Sequence, residues 1–208
     1  MTSLYALLDK DSLHRLSIAI GEMALFCEKL SIPILQYRNK NGDIKEFEED
    51  IAAIGRNFSG KIIVNDNIDA ADMADGLHLG QEDMEEISHD FAEAVKILRK
   101  EFGTEFTLGL STHNLEEIER ANLLDIDYIG LGAYRESTTK DSVNVSGERL
   151  LDMARSSVHP VALIGGIRLD EHFGDSIAYK VVGSDLYRAF LADGDHPATL
   201  SNQKKEEK

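Results

Sequence analysis

The stretch Lys61–Asp83, KIIVNDNIDAADMADGLHLGQED, decides how the chain is read. It opens with the apolar run Ile62-Ile63-Val64, the pattern of a buried strand, which stops at Asn65-Asp66. A short polar helix fits the next residues. A second brief strand, Leu77-His78-Leu79, then stops at Gly80-Gln81-Glu82-Asp83. Two successive strands therefore each deliver a carboxylate just beyond their C-terminal ends, the edge at which parallel α/β folds bind ligands. Asp66 and Asp83 are hard oxygen donors of the kind that hold Mg²⁺ beside a substrate phosphate. Aspartate is equally a favoured helix N-cap, and both readings fit the residues alone.

The same alternation extends in both directions. Strands are expected to begin near Leu4, Ile34, Ile62, Leu77, Phe106, Tyr128, Val161 and Lys180, with helical segments between them. Leu13, Leu16, Ile20, Met23, Cys27 and Leu30 recur at spacings of three and four, which predicts one amphipathic helix with Cys27 on its buried stripe. Further helices are predicted over Asp43–Phe58, through Phe91, Ala94, Val95, Leu98 and Phe102, from Asn114 with Glu117 as its capped start, and over Ser146–Arg155. The seventh unit is the weakest, since Arg168–Ser176 leaves room for little more than two helical turns. Eight units favour a closed (βα)8 TIM barrel with short loops over an open sheet. No Gly-x-Gly-x-x-Gly follows an early strand, which weakens a dinucleotide-binding reading. Residues 1–191 are read as this single domain and residues 192–208 as a disordered tail.

Composition narrows the partners. The 208 residues carry a formal charge of −16, which argues against nucleic acid or an anionic membrane. An anionic substrate needs a local positive site against that background. One cysteine excludes an internal disulfide and fits a reducing cytoplasm. No run approaches the roughly 20 apolar residues of a membrane helix, and MTSLYALLDKDS has no basic leader-like region. A cytoplasmic protein acting on small molecules is expected, with a homodimer left open.

Three constellations carry chemistry. Gln36, Arg38 and Lys40 share one face of a strand by its period of two, presenting an amide and two cations near its end. A bound phosphate would satisfy those cations, and a strand tip reaching solvent would also accommodate them. Gly165-Gly166 and Gly183-Ser184 end the last two strands, where barrels often bind phosphate through backbone N–H groups. Glycines also end strands for conformational reasons alone. After the sixth strand, Ser137, Thr138, Thr139 and Lys140 form a hydroxyl-rich loop ending in a cation. It suits either a phosphate or a solvated surface. His78, inside a strand, reads as a satisfied structural histidine, whereas His113 at a strand end stays open.

The blocks LQYRNK, IIVND, DGLHLGQED, LGLSTHNLEE, DYIGLG, STTKD and LIGGI, in that order, resemble the thiamine-phosphate synthase family. The resemblance runs from Gln36 to Ile167. It implies a (βα)8 barrel that joins hydroxymethylpyrimidine diphosphate to a thiazole phosphate, releasing diphosphate and giving thiamine phosphate. By position it implies that Gln36, Arg38, Lys40, Asn65 and Lys140 hold the pyrimidine diphosphate, and that Asp66 and Asp83 ligate Mg²⁺. Ser111 would contact the pyrimidine. Ser137, Thr138, Thr139, Gly166, Gly183 and Ser184 would hold the thiazole phosphate. Arg38, Lys40, Ser111 and Lys140 are the expected catalytic groups, acting by charge stabilisation in a dissociative reaction. The sequence departs from the family at Ala133-Tyr134-Arg135-Glu136, at the proline-free Ser137–Lys140 loop, in the seventh unit and at Gly183-Ser184, all on the thiazole-phosphate side. The related thiazole tautomerases, with a histidine near His113, and a non-catalytic precursor-binding protein are the alternatives.

Overall fold

The computed structural model describes residues 2–135 and 147–193. Among them eight parallel strands close a barrel in sequence order: β1 (Ser3–Asp9), β2 (Ile34–Arg38), β3 (Lys61–Asn65), β4 (Gly76–Leu79), β5 (Thr107–Thr112), β6 (Tyr128–Leu131), β7 (Val161–Leu163) and β8 (Tyr179–Val182). Closure is made by β8 against β1, with Ser3 opposite Tyr179 and Ala6 opposite Val182. Outside the barrel pack α1 (Lys10–Arg15), α2 (Ile20–Lys29), α3 (Ile44–Gly55), α4 (Gln81–Ile87), α5 (Phe91–Phe102), α6 (Leu115–Ala121), α7 (Gly147–Ala154) and α8 (Ser184–Ala192), with a 3₁₀ turn at Ile68–Met73. No described helix is long and apolar enough to cross a membrane.

Strand alternation separates two cores. Leu8, Leu35, Tyr37, Ile62, Val64, Leu77, Leu79 and Leu108 face outward into the layer beneath the helices, joined there by the buried Cys27. Tyr5, Ile34, Ile63, Tyr128, Ala162 and Val181 fill the interior. Glycines make room for the large rings inside. A Cβ on Gly109 would come within 2.2 Å of the Tyr128 ring and 2.5 Å of His78 Nδ1, and one on Gly130 within 2.9 Å of His78. A strand glycine here marks close approach of neighbouring groups rather than a turn.

Two helical expectations change. The stripe from Leu13 to Leu30 is split into α1 and α2, because Ser17 adopts a left-handed φ of 55°. The N–H of Ser17 reaches His14 O and that of Ile18 reaches Leu13 O, a Schellman closure that ends α1 and leaves Leu16 exposed. Periodicity survives the break because both pieces pack on the same barrel wall. The seventh unit has no helix: among the described residues none lies between β7 and β8. Instead the buried Lys180 ammonium donates to the carbonyls of Leu169 (2.6 Å) and Glu171 (2.7 Å), and Asp185 at the start of α8 accepts from Leu169 N (2.9 Å). A strand-borne cation thus satisfies carbonyls that a helix would have paired internally.

Candidate active site

Five of the residues singled out in the sequence meet at one end of the barrel. Arg38, Lys40, Asn65, Asp66 and Asp83 line a single cavity of about 610 Å³ beyond the C-terminal ends of β2, β3 and β4. Arg38 arrives there because β2 alternates. Gln36 points into the barrel, while Tyr37 points outward, packs edge-on against Phe47 at 5.3 Å and donates to Asp50. Asp9, the last residue of β1, fixes the Arg38 guanidinium through a 3.0 Å ion pair. Asp9 is itself held by Ser12, through N–H at 2.9 Å and hydroxyl at 2.6 Å. Burial raises its pKa, but these donors and Arg38 outweigh that and keep it below the usual aspartate value. This support for Arg38 was not anticipated from sequence. Its only signal was an Asp-x-x-Ser cap motif after the first strand.

The two acids behave differently from one another. Asp83 is the third residue of α4 and its carboxylate accepts from Gly80 N at 2.7 Å, so it does serve as a helix cap. Asp66 does not, since Asn67 caps the following 3₁₀ turn. Asp66 instead sits at φ 61°, a left-handed conformation that a non-glycine residue adopts at a cost of about 1–3 kcal/mol and that tends to mark a site. Its N–H reaches His78 O at 2.9 Å, and Asn65 Nδ2 donates to its carboxylate at 2.6 Å. Desolvation, followed by the neighbouring Asp83 carboxylate, pushes the Asp66 pKa up to about 6, against the pull of Arg38 and Lys40. A carboxylate kept hard to ionise by burial and by the acid beside it fits a hard divalent cation, which would relieve that repulsion. Asp69 and Glu86 line the same cavity, but among the described residues no three acidic, histidine or cysteine side chains converge as a metal cluster. A donor set of two carboxylates leaves most positions to water and phosphate, as Mg²⁺ prefers.

Beneath the cavity a hydrogen-bonded chain crosses the barrel interior. Gln36 Nε2 donates to Tyr5 Oη at 2.9 Å, Tyr5 and Tyr128 hydroxyls lie 2.7 Å apart, Tyr128 Oη is 2.9 Å from His78 Nδ1, and His78 Nε2 is 2.9 Å from Ser111 Oγ. Burial lowers the His78 pKa to about 4, so the ring is neutral and donates from one nitrogen only. Because Gln36 supplies a donor at one end, every buried hydroxyl proton finds an acceptor only if the chain runs from Gln36 to Ser111. Ser111 then points its own proton toward the mouth. His78 is therefore satisfied at both nitrogens, as its strand position led us to expect, but it also orients Ser111. His113 lies on the rim, exposed and paired with Glu117 at 2.9 Å.

The remaining candidates stand on the far side of the mouth. Gly165 and Gly166 have φ of 104° and 65°, and a Cβ at Gly165 would come within 2.7 Å of Ala133 Cβ. Both glycines thus meet a steric demand of the β6 loop. Gly183 is under no such demand. Gly183-Ser184 opens α8, whose first N–H groups have no side-chain cap, and lines a second cavity of about 600 Å³ with Leu7, Asp9 and Tyr187. Ser137, Thr138, Thr139 and Lys140 lie outside the described residues.

A closed (βα)8 barrel whose C-terminal mouth gathers cations, two acids and an uncapped helix start defines the class: a single-barrel protein with a charged cavity at the end where such barrels carry their sites. The family model described as thiamine monophosphate synthase matches residues 4–181, and the chain belongs to that family. A thiamine-phosphate synthase of Persephonella marina is 39% identical over 140 residues, covering 64% of this chain and 63% of that protein, so the match spans just under two thirds of its length. One from Dictyoglomus thermophilum is 32% identical over 174 residues, covering 80% of this chain and 73% of the relative. The thiamine phosphate pyrophosphorylase of Pyrococcus furiosus superposes with a TM-score of 0.68 at 23% identity, over 93% of this chain and 97% of that one, and shares the fold.

Proposed function

We propose that the protein couples hydroxymethylpyrimidine diphosphate to a thiazole phosphate, giving thiamine phosphate and diphosphate. The observation that carries this reading is the single cavity in which Arg38, Lys40 and Asn65 face Asp66 and Asp83. In the reaction the bond between the pyrimidine methylene carbon and the diphosphate oxygen breaks, and its electron pair leaves with diphosphate. The thiazole nitrogen lone pair then closes the new C–N bond, so no proton needs to be moved. Negative charge grows on the leaving group, which is what a preorganised set of cations stabilises best. Arg38, held by Asp9, grips the diphosphate bidentately; Lys40 and Lys140 add point charges. Asp66 and Asp83 would hold Mg²⁺, which supplies further charge neutralisation to the diphosphate when bound. Ser111, oriented by His78, presents a donor to a ring nitrogen of the pyrimidine. Ser137, Thr138, Thr139, Gly166 and the Gly183-Ser184 turn hold the acceptor phosphate.

The test is to mix the two substrates with Mg²⁺ and measure diphosphate release together with thiamine phosphate formation. Stoichiometric appearance of both supports the reading. Diphosphate release at the same rate without the thiazole, or no release at all, would refute it.

A further inference from the structure

The β6 loop carries a guanidinium that the sequence resemblance leaves unexplained. Arg135 crosses from the end of β6 to the turn after β7. Its backbone N–H donates to Gly165 O at 3.1 Å, and its guanidinium donates to Gly166 O. The fork is bidentate on Glu171, with Nη1 to Oε2 at 3.0 Å and Nη2 to Oε1. The Tyr134 ring lies 4.9 Å from the guanidinium and is itself braced edge-on by Phe173 at 5.5 Å, so the cation is aimed rather than trailing in solvent. Glu171 has an independent donor in the N–H of Arg168 at 2.7 Å. It stays anchored when the guanidinium leaves. Of the other described cations flanking this turn, Lys180 is committed to two buried carbonyls and Arg188 to Asp185, while Arg168 adds its charge beside Glu171.

Arg135 is also half exposed, and in such a setting an ion pair exchanges readily for a better-matched anion. A phosphate ester matches the same planar fork with more charge than a carboxylate. We propose that Arg135 is a specificity-determining residue for the acceptor, its guanidinium passing from Glu171 to the acceptor phosphate beside the Gly166 turn. This rests on the synthase reading of the mouth. Glu171 acts as the resting counter-ion. It competes with the acceptor and holds the fork in shape while the site is empty.

The experiment measures steady-state KM for both substrates, and calorimetric binding of thiazole phosphate, in the full-length protein and in Arg135→Ala, Arg135→Lys and Glu171→Gln. Loss of a bidentate charged contact is expected to raise the acceptor KM of Arg135→Ala roughly tenfold or more. The KM for pyrimidine diphosphate should move less than about twofold. Arg135→Lys, which keeps the charge without the fork, should fall between. Glu171→Gln should lower the acceptor KM, because the competitor is gone. The unphosphorylated thiazole alcohol should show none of these changes. Unchanged acceptor KM in Arg135→Ala and Glu171→Gln, with only a lowered melting temperature, would make the pair a structural tie and overturn the proposal while leaving the synthase reading intact. Equal effects on the alcohol would also overturn it. No turnover and no thiazole phosphate binding by the unmodified protein would overturn both.

Discussion

Replacing Tyr128 by Phe should test how much of the barrel depends on its interior chain of hydrogen bonds. Tyr128 is 3% exposed, and its hydroxyl touches the Tyr5 hydroxyl at 2.7 Å and His78 Nδ1 at 2.9 Å. The substitution keeps the ring, so no sizeable cavity forms. It leaves the imidazole nitrogen without a partner and the Tyr5 proton without an acceptor. Each orphaned buried group costs about 1–3 kcal/mol, so the two together predict a loss of about 2–6 kcal/mol. For a domain of this size that lowers the melting temperature by roughly 4–24 °C. Urea unfolding followed by circular dichroism gives the free energy directly. Tyr5→Phe shares one of the same bonds, so the double variant should be less destabilised than the sum of the singles, with a coupling of about 0.5–3 kcal/mol. Coupling activity should fall further than stability explains, because the His78 proton no longer has a fixed tautomer to orient Ser111. A loss below about 0.5 kcal/mol, or strict additivity with Tyr5→Phe, would refute the directed chain.

Other consequences can be checked alongside. His78 has a folded pKa of about 4 against an ordinary value of 6.5, so the unfolded chain binds its proton first as pH falls. The stability this group contributes is complete above pH 6.5 and is lost down to about pH 4; the Asp66 contribution has the opposite sign but cancels in the difference between the unmodified protein and His78→Gln, which should narrow by about 3 kcal/mol across that window. Asp83→Asn keeps an oxygen to accept from Gly80 N, so folding should change by less than about 1 kcal/mol while Mg²⁺-dependent turnover disappears; full turnover at limiting Mg²⁺ would move the metal elsewhere. In the unmodified protein, thermal stabilisation by Mg²⁺ should grow as pH rises through about 6, where Asp66 gives up its proton; a flat profile would remove Asp66 from the metal. His113→Gln, at the exposed rim, should keep coupling within roughly tenfold of the parent, the scale of one lost hydrogen bond, and the parent should not isomerise a carboxythiazole phosphate; rapid isomerisation lost in this variant would favour a tautomerase.

What the sequence by itself determined is whatever depends on local period. Alternation along β2 put Gln36 and Arg38 on one face, and the apolar run of β3 followed by Asn65-Asp66 marked a strand end whatever the chain did elsewhere. Eight such units imply a barrel because parallel strands need crossovers and a closed sheet leaves no edge. Only the tertiary structure decided the relations between strands. That Asp66 stands beside Asp83, that Asp9 holds Arg38 across 29 residues of chain, and that His78 joins Tyr128 to Ser111 all depend on barrel register, which no window along the chain contains. The α1–α2 break escaped notice because a Schellman closure at Ser17 leaves the apolar spacing intact. The seventh unit stood out in sequence as short, but that it holds no helix at all was hidden for a different reason. Its place is taken by Lys180, a residue eleven positions beyond the first carbonyl it serves, and a buried ammonium reads in sequence like any solvated lysine until the fold shows what it satisfies.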